Sequence, residues 1–549
     1  MASTHLLDDR AGAAETPQST ALEGHGHPHR WWVLGVLCLS LFLVVVDNTI
    51  VNVALPTLSA DLNASTTELQ WIVDAYTLVF ASLLLAFGHF GDRFGRRGAL
   101  ALGLVLFGAT SALAAFTTSA QGLIGVRALM GIGAALVFPA TLAILMNVFT
   151  DKKQRAVAIG IWSGATGMAV AAGPLAGGFL LEHYWWGSVF LVNAPIVAIA
   201  VIAVFAVVPT SKDPDSGRMD WPGLVLSVAS IGLLVWSIIE GPRLGWTSPQ
   251  IIAGGVSAIA LLVLFVWWER RSSHPLLDVS LFANPRFSAA SITIATAFFG
   301  LFGFIFMITQ YMQLVLGYSP LESGARTVPF AIATGACSPL AIALMHRIGS
   351  KIVIAGGLAL MSIGFVMAAN LDANSSYLTA VLPAMLVMAS GLGLTTSPAT
   401  ESIMGALPVD KAGVGSAVND TTRELGGTLG VAILGSVFAS LYGPQLLEKL
   451  TALGLPATSS DAATQSMSAA LAVAQHAPAD VAGQIITAAQ DAFMVGFTRG
   501  SLVAAVATAV GAVVALLFLP ARARDELLAH ADDVRAEDDV RREDDVRTS

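Results

Sequence analysis

Four carboxylates stand where water is scarce. Asp47, Asp74, Asp420 and Glu424 each fall inside a long apolar run. A carboxylate in such a run costs several kcal/mol unless it is paired, protonated or wetted, and by default it marks function. Asp420 and Glu424 are four residues apart, so one helix presents both on one face. Two arginines share the setting. Arg127 lies inside the run LIGVRALMGIGAALV, and Arg423 follows Asp420 by three residues. Either arginine is a natural charge partner, and a purely structural pairing is the plain reading for any one acid. The chemical reading follows from desolvation, which disfavours the charged form of a carboxylate, as does a second carboxylate nearby. Such a group takes a proton from one side and gives it up on the other, and an incoming cation competes with that proton. At the helical rise per residue, Asp47 lies roughly 13 Å inward from Pro56, and Asp74 roughly 7 Å from the outer end of its helix. On adjacent helices the two would face one cavity. Glu240 and Glu401 lie near the ends of apolar runs, where a side chain reaches water easily, and rank lower.

The elements that hold these residues follow from composition. The chain has 549 residues, of which 55% are hydrophobic and only 12% charged. About 25% charge is usual for a soluble domain. The apolar residues gather in runs of about 20, the length that spans a bilayer core. Fourteen helical spans are predicted, at 32–55, 70–89, 98–118, 122–149, 156–182, 187–208, 221–240, 250–268, 287–315, 323–345, 350–369, 377–404, 413–440 and 498–519. Alternate loops are basic, with Arg93, Arg96, Arg97, Lys152, Lys153 and Arg155 early and Arg347 and Lys351 late. The positive-inside rule puts those loops, and both termini, in the cytoplasm. Residues 1–30 read as a disordered polar tail without a signal-peptide core. Residues 441–497 read as the one long outer loop, partly helical. Residues 521–549 repeat Asp-Asp-Val-Arg three times and read as a solvated charged tail. His25, His27 and His29 could hold a metal weakly, but a solvated tail is the better reading and no metal site is predicted. Two cysteines, Cys38 and Cys337, exclude a disulfide framework. No nucleotide-binding loop, nucleophile with its base, or nucleic-acid patch is present, so the chain reads as no enzyme and needs no cofactor.

An internal repeat organises the spans. Arg93-Phe-Gly95-Arg-Arg97 follows the second span, and Arg347-Ile-Gly349-Ser-Lys351 follows the tenth. Corresponding loops in two halves mark a transporter built from structural repeats. The divisions are 31–209 for the first six-helix half, 210–285 for an inserted helix pair, and 286–520 for the second six-helix half.

Three stretches resemble a known family. Gly88 through Arg97, with Asp92 among the arginines and Gly95 at the turn, resembles the loop motif of the major facilitator superfamily. Arg127 with Gly131 and Gly133 resembles its fourth-helix motif. Gly173-Pro174-Leu-Ala-Gly177-Gly178 resembles its fifth-helix antiporter motif. Asp47-Asn-Thr-Ile-Val-Asn52, Trp71-Ile-Val-Asp74-Ala-Tyr76, Gln310-Tyr-Met-Gln313 and Asp420 through Gly427 are similar to signatures of its fourteen-span drug:proton antiporters.

The resemblance implies an all-α integral membrane protein of the major facilitator fold, with two six-helix halves plus two inserted helices. It implies a secondary transporter in a bacterial plasma membrane, driven by a proton gradient and exporting amphipathic compounds. An exporter of one endogenous lipid or secreted metabolite is the alternative. The acidic pair Asp420 and Glu424 resembles the quaternary-ammonium exporters and tilts the substrate towards cations. Asp92, Arg93, Arg96 and Arg97, with Gly88 and Gly95, are expected to form a conformational latch. Asn52, Tyr76, Phe306, Gln310 and Gln313 are the candidates for the substrate cavity. The expected partners are a small-molecule substrate, protons and lipid, the protein acting as a monomer.

Overall fold

The computed structural model describes residues 28–212, 219–407 and 412–520. Of the expected tails at 1–30 and 521–549, residues 1–27, with His25 and His27, and the whole of 521–549, with the Asp-Asp-Val-Arg repeats, lie outside the described residues. All regular elements among the described residues are helical. Among the described residues, fourteen helices are long and apolar enough to cross a membrane, the number read from the sequence.

The first half runs α1 (Arg30–Asp61), α2 (Thr66–Phe94), α3 (Arg96–Ala115), α4 (Ala120–Val148), α5 (Lys152–His183), and a last span broken into α6 (Ser188–Leu191) and α7 (Asn193–Val207). Pro195 causes the break, because it has no N–H to give the Leu191 carbonyl. The inserted pair is α8 (Trp221–Leu244) and α9 (Pro249–Glu269). The second half is α10 (Pro285–Gln310), α11 (Pro320–Ile348), α12 (Ser350–Ala369), α13 (Leu382–Gly405), α14 (Ala412–Ala452) and α17 (Ala479–Phe518), with short helices α15 (Ala457–Ala463) and α16 (Met467–Gln475) before α17. The last turn of α10 widens into a π segment, Tyr311–Val315.

The repeat is visible in packing. In the first half α2 and α3 pack on α4, α1 on α5, and α3 on α7. In the second α11 and α12 pack on α13, α10 on α14, and α12 on α17. The corresponding helices α2 and α11 also share both ends. Each starts with a capping box, Ser65 with Glu68 and Ser319 with Glu322, which satisfies the first free N–H groups. Each ends on a glycine at positive φ, Gly95 at 116° and Gly349 at 89°, a conformation that side chains resist.

The predicted outer loop at 441–497 is corrected by the structure. α14 continues to Ala452 and α17 begins at Ala479, so only 453–478 connects them, and it holds α15 and α16. An alanine-rich stretch keeps its helical preference after it leaves the apolar layer, whereas hydropathy registers only the layer. This connection straps across to the first half. Gln465 accepts from the Thr66 N–H at 2.9 Å, and the Ser59 hydroxyl donates to Ser466 at 3.0 Å.

Among the described residues, α5 and α11 bring the halves together at one end. We call the end with the Gly95 and Gly349 turns the basic end, and the other the far end. At the far end of α5, a Cβ on Gly178 would lie 2.6 Å from Leu321 Cα and the Pro320 carbonyl, and one on Gly177 would lie 2.7 Å from Ile50. Gly324 on α11 lies against the Pro174 carbonyl. Towards the basic end the same helices separate. A Cβ on Gly160, Gly164 or Gly167 of α5, or Gly335 of α11, would meet nothing within 4 Å. The bundle is therefore closed at the far end and open at the basic end.

Gly178→Val should wedge α5 from α11 at the far end. Spin labels on the far tips of these helices are expected to report a longer distance and a population shifted towards far-end opening, whereas Gly164→Val leaves the distance unchanged.

Candidate functional site

Asp47 is the centre of a buried polar hub. Arg127 Nη1 lies 2.5 Å from Asp47 Oδ2, with both side chains fully buried. The break between α6 and α7 aims Asn193 inward, and its Nδ2 donates to Asp47 Oδ1 at 3.1 Å and to Ser111 Oγ at 3.1 Å. Arg127 Nε donates to the Ile72 carbonyl at 3.1 Å. The guanidinium lies 4.2 Å from the centroid of the Tyr76 ring, and the Tyr76 hydroxyl donates to the Val44 carbonyl. One carboxylate thereby ties α1 to α4 and α7, and through them to α2 and α3. A buried charge persists only when paired and hydrogen-bonded like this.

Asp74 is placed differently, so the expectation that Asp47 and Asp74 face one cavity is corrected. Asp47 points into its own half. Asp74 lies on α2 three residues after Trp71 and four before Leu78, both packed against the cluster of Val235 and Ile239 of α8 and Ala432 of α14, so it shares their side of the helix. One turn earlier, Gln70 Nε2 donates to the Val431 and Ala432 carbonyls of α14 at 3.3 and 3.1 Å. Asp74 therefore lies where α2, α8 and α14 meet. It is fully buried. The Thr77 hydroxyl donates to its Oδ1 at 3.5 Å, and Oδ2 has no hydrogen-bond partner.

The α14 acids lie on the open side. Arg423 Nη1 is 4.0 Å from Asp420 Oδ1, with side-chain exposures of 30% and 15%. Asn419 also donates to Asp420, at 3.2 Å. Arg423 Nη2 donates to Thr400 Oγ1 at 3.0 Å, and its guanidinium lies 5.3 Å from the Phe298 ring centroid. Glu424 Oε2 is buried without a hydrogen-bond partner. Glu424 precedes Val431 by two turns and shares its face. Val431, with Asn48, Thr49, Asn52, Val73 and Phe302, lines a cavity of about 20 Å³ between the halves, room for about one water. The far end is thus sealed above the acids.

The remaining expected residues divide. Asn52 borders that cavity. Tyr76 and Phe306 are fully buried and stand in the packing rather than on the cavity wall. Gln310 donates to the Phe306 carbonyl of its own helix at 2.9 Å, and Gln313 closes the halves by donating to the Val53 carbonyl of α1 at 2.9 Å. Asp92 pairs with Arg96 at 2.7 Å, inside the first half, and Arg97 donates to the Val208 carbonyl at 3.3 Å. Gly88 packs on Pro139, and Gly173 abuts Thr49. Glu240 is a correction. It does not reach out to water but is buried, accepting from Trp71 Nε1 at 3.0 Å and from Arg243 Nε at 2.7 Å. Asn193 is absent from the expected site, although an asparagine two residues before a proline inside an apolar run is a readable signal.

Breaking the hub from one side should be severe. Arg127→Ala leaves Asp47 buried and unpaired, which costs about 3–5 kcal/mol. A large fall in melting temperature in detergent is expected, partly recovered in the double variant Asp47→Asn/Arg127→Gln.

Comparison with known proteins agrees with this architecture. The profile of the Major Facilitator Superfamily matches residues 37–243 and 222–431. The multidrug efflux pump LfrA of Mycolicibacterium smegmatis is 37% identical, over 91% of this chain and 99% of that one. The methyl viologen resistance protein SmvA of Salmonella typhimurium is 36% identical, over 85% and 93%. The tetracenomycin C resistance and export protein of Streptomyces glaucescens is 30% identical, over 94% and 95%. A crystal structure of a bacterial homologue of the human lysosomal transporter Spinster, inward-facing and occupied, gives a TM-score of 0.63 at 16% identity, over 90% of this chain and 97% of that one, a likeness of fold alone. With repeated halves, fourteen spans and relatives matched along nearly their whole length, this chain belongs to the Major Facilitator Superfamily.

Proposed function

We propose that this protein exports amphipathic, cationic compounds across a bacterial plasma membrane in exchange for protons. The basic end faces the cytoplasm, with both termini. The observation that carries this reading is the half-buried pair Asp420 and Glu424 on the open side, where among the described residues Arg423 pairs with Asp420 and a second carboxylate stands beside them. That balance leaves a site short of positive charge, next to an aromatic ring at Phe298. A cation enters from the basic end and supplies the missing charge. Protonation of the same acids from the far side displaces it.

The relatives support export. Their names describe efflux of, or resistance to, drugs, and one is named for methyl viologen, an organic dication. Asp74 and Glu424 suit the proton's part, since each holds a buried oxygen that no neighbour occupies. Asp47 suits a structural part, because its charge is already met by Arg127. The protein works as a monomer in this scheme, since both halves of the cavity come from one chain.

The test is transport in proteoliposomes with an imposed pH gradient, using a panel of dicationic, monocationic and neutral dyes. Asp420→Asn and Glu424→Gln should each lower dication efflux about tenfold or more, equivalent to ~1.4 kcal/mol, and affect neutral substrates least. Undiminished dication efflux by both variants would overturn the assignment. Efflux confined to a single neutral lipid or metabolite would favour a dedicated exporter instead.

A further inference from the structure

The inserted pair has no counterpart in either half, yet it is fastened to both. α8 packs along the seam between α2 of the first half and α14 of the second. An apolar cluster fills that junction, with Val235 and Ile239 of α8, Ala432 and Leu429 of α14, and Trp71 and Leu78 of α2. Hydrogen bonds tie α8 to each side at the far end. Trp71 Nε1 donates to Glu240, and Ser436 Oγ donates to the Ile238 carbonyl at 2.8 Å. At the basic end the pair closes on itself, with Trp268 Nε1 donating to Asp220 at 2.9 Å.

Glu240 is the one acid on α8, and it stands at the far end of this seam. It is 9% exposed. Arg243, which it accepts from, has 62% of its side chain in solvent. One oxygen of Glu240 thus contacts a group open to far-side water, and the other contacts Trp71, one turn from Asp74. The charged groups that face it are few. Arg243 is on its own helix and Asp74 is on α2. Glu68 of α2 turns away to Ser65 and Gln121. α9 carries no charge before Glu269. On α14 the next acid inward is Glu424, whose face passes Val431, where Gln70 is bonded.

We propose that Glu240 is the far-side port of a proton route running Glu240, Asp74, Glu424 along the α2–α14 seam, which reaches the acids of the substrate site from the side. This rests on the proton-coupled reading above, in which Asp74 and Glu424 carry protons. In the described state the seam is packed and Asp74 is fully buried, so the proton on Asp74 is cut off from the far side. When the halves part at the far end, α2 and α14 separate and water reaches the seam. A proton from far-side water binds a Glu240 oxygen, passes through that water to Asp74, and leaves Glu240 charged again beside Arg243. The inserted helix then gives the proton an entry to Glu424 that does not start in the cavity.

The variant Glu240→Gln separates this role from anchoring. Its amide oxygen still accepts from Trp71, but it cannot carry a proton. Proteoliposomes loaded with a dicationic dye are assayed for efflux across a series of far-side pH values, with luminal proton movement read by a pH-sensitive dye. Efflux by Glu240→Gln should fall about a hundredfold, the lower end of what a positioned proton-transfer group supplies, and lose its dependence on far-side pH. Dye binding to the purified protein and the melting temperature should match the parent. A wild-type pH profile in Glu240→Gln, with loss only in Glu240→Ala, would reduce Glu240 to an anchor. Loss of dye binding in Glu240→Gln would place it in the cavity and also overturn the route. Asp74→Asn and Glu424→Gln serve as controls. If both keep proton coupling, the parent reading fails. If both lose it while Glu240→Gln does not, only the port fails.

Discussion

Two halves must hold together at one end and yet come apart, and the rest of the structure follows from that constraint. A strong interface would freeze the protein in one state. The far-end contacts are accordingly made of small residues and backbone. Gly178 sits on Leu321, Gly324 on the Pro174 carbonyl, and Gln70 and Gln313 each reach across to main-chain oxygens. Neutral hydrogen bonds of this kind are worth about 0.5–1.5 kcal/mol each, so a handful closes the end and a bound ligand's differential affinity can reopen it. The ion pairs Asp47–Arg127, Asp92–Arg96, Asp420–Arg423 and Lys449–Asp491 each stay within one half. Charge stiffens the bodies, and close packing joins them.

The acids divide by the same logic. Asp47 is locked by Arg127 and Asn193, and a group so fully bonded has nothing left to exchange. Asp74 and Glu424 each retain a buried oxygen without a partner, and both are on the helices that form the seam between halves. Residues that must change protonation with conformation belong where conformation changes solvation. A rigid half cannot offer that, and a seam can.

Much of this is legible in the sequence, and the limits have physical causes. Hydrophobic length is a one-dimensional signal, so fourteen spans and the Gly95 and Gly349 turns can be read directly. Helix ends beyond the bilayer cannot, because α14 and α17 run on through polar, alanine-rich residues that hydropathy does not register. Periodicity gives the face of one helix but not the neighbour that covers it. Asp47 and Arg127 are each conspicuous alone, and Arg423 is rightly suspected beside Asp420 from spacing. Yet nothing in spacing says that Asp74 turns to α8 rather than to α1, or that Glu240 is buried under Trp71. Tyr76 and Phe306 mislead for the same reason, since an aromatic residue near a cavity looks alike whether it lines the wall or fills the packing behind it.

The inserted pair bears this out most clearly. Straddling the seam, α8 cannot keep both sets of contacts when α2 and α14 part. Towards α14 it and the turn that follows it hold neutral bonds, Ser436 to the Ile238 carbonyl and Trp246 to Ser440. Towards α2 it holds the Trp71 indole on the Glu240 carboxylate, and a bond to an ionised acceptor is roughly twice as strong as a neutral one. Two neutral bonds on one side and one charge-assisted bond on the other leave α8 evenly held between the halves, so parting α2 from α14 must break one set and wet the acid at its end. A helix that bridges both walls of an opening cleft is well placed to carry an acid at its mouth, since its own surroundings change whenever the cleft opens.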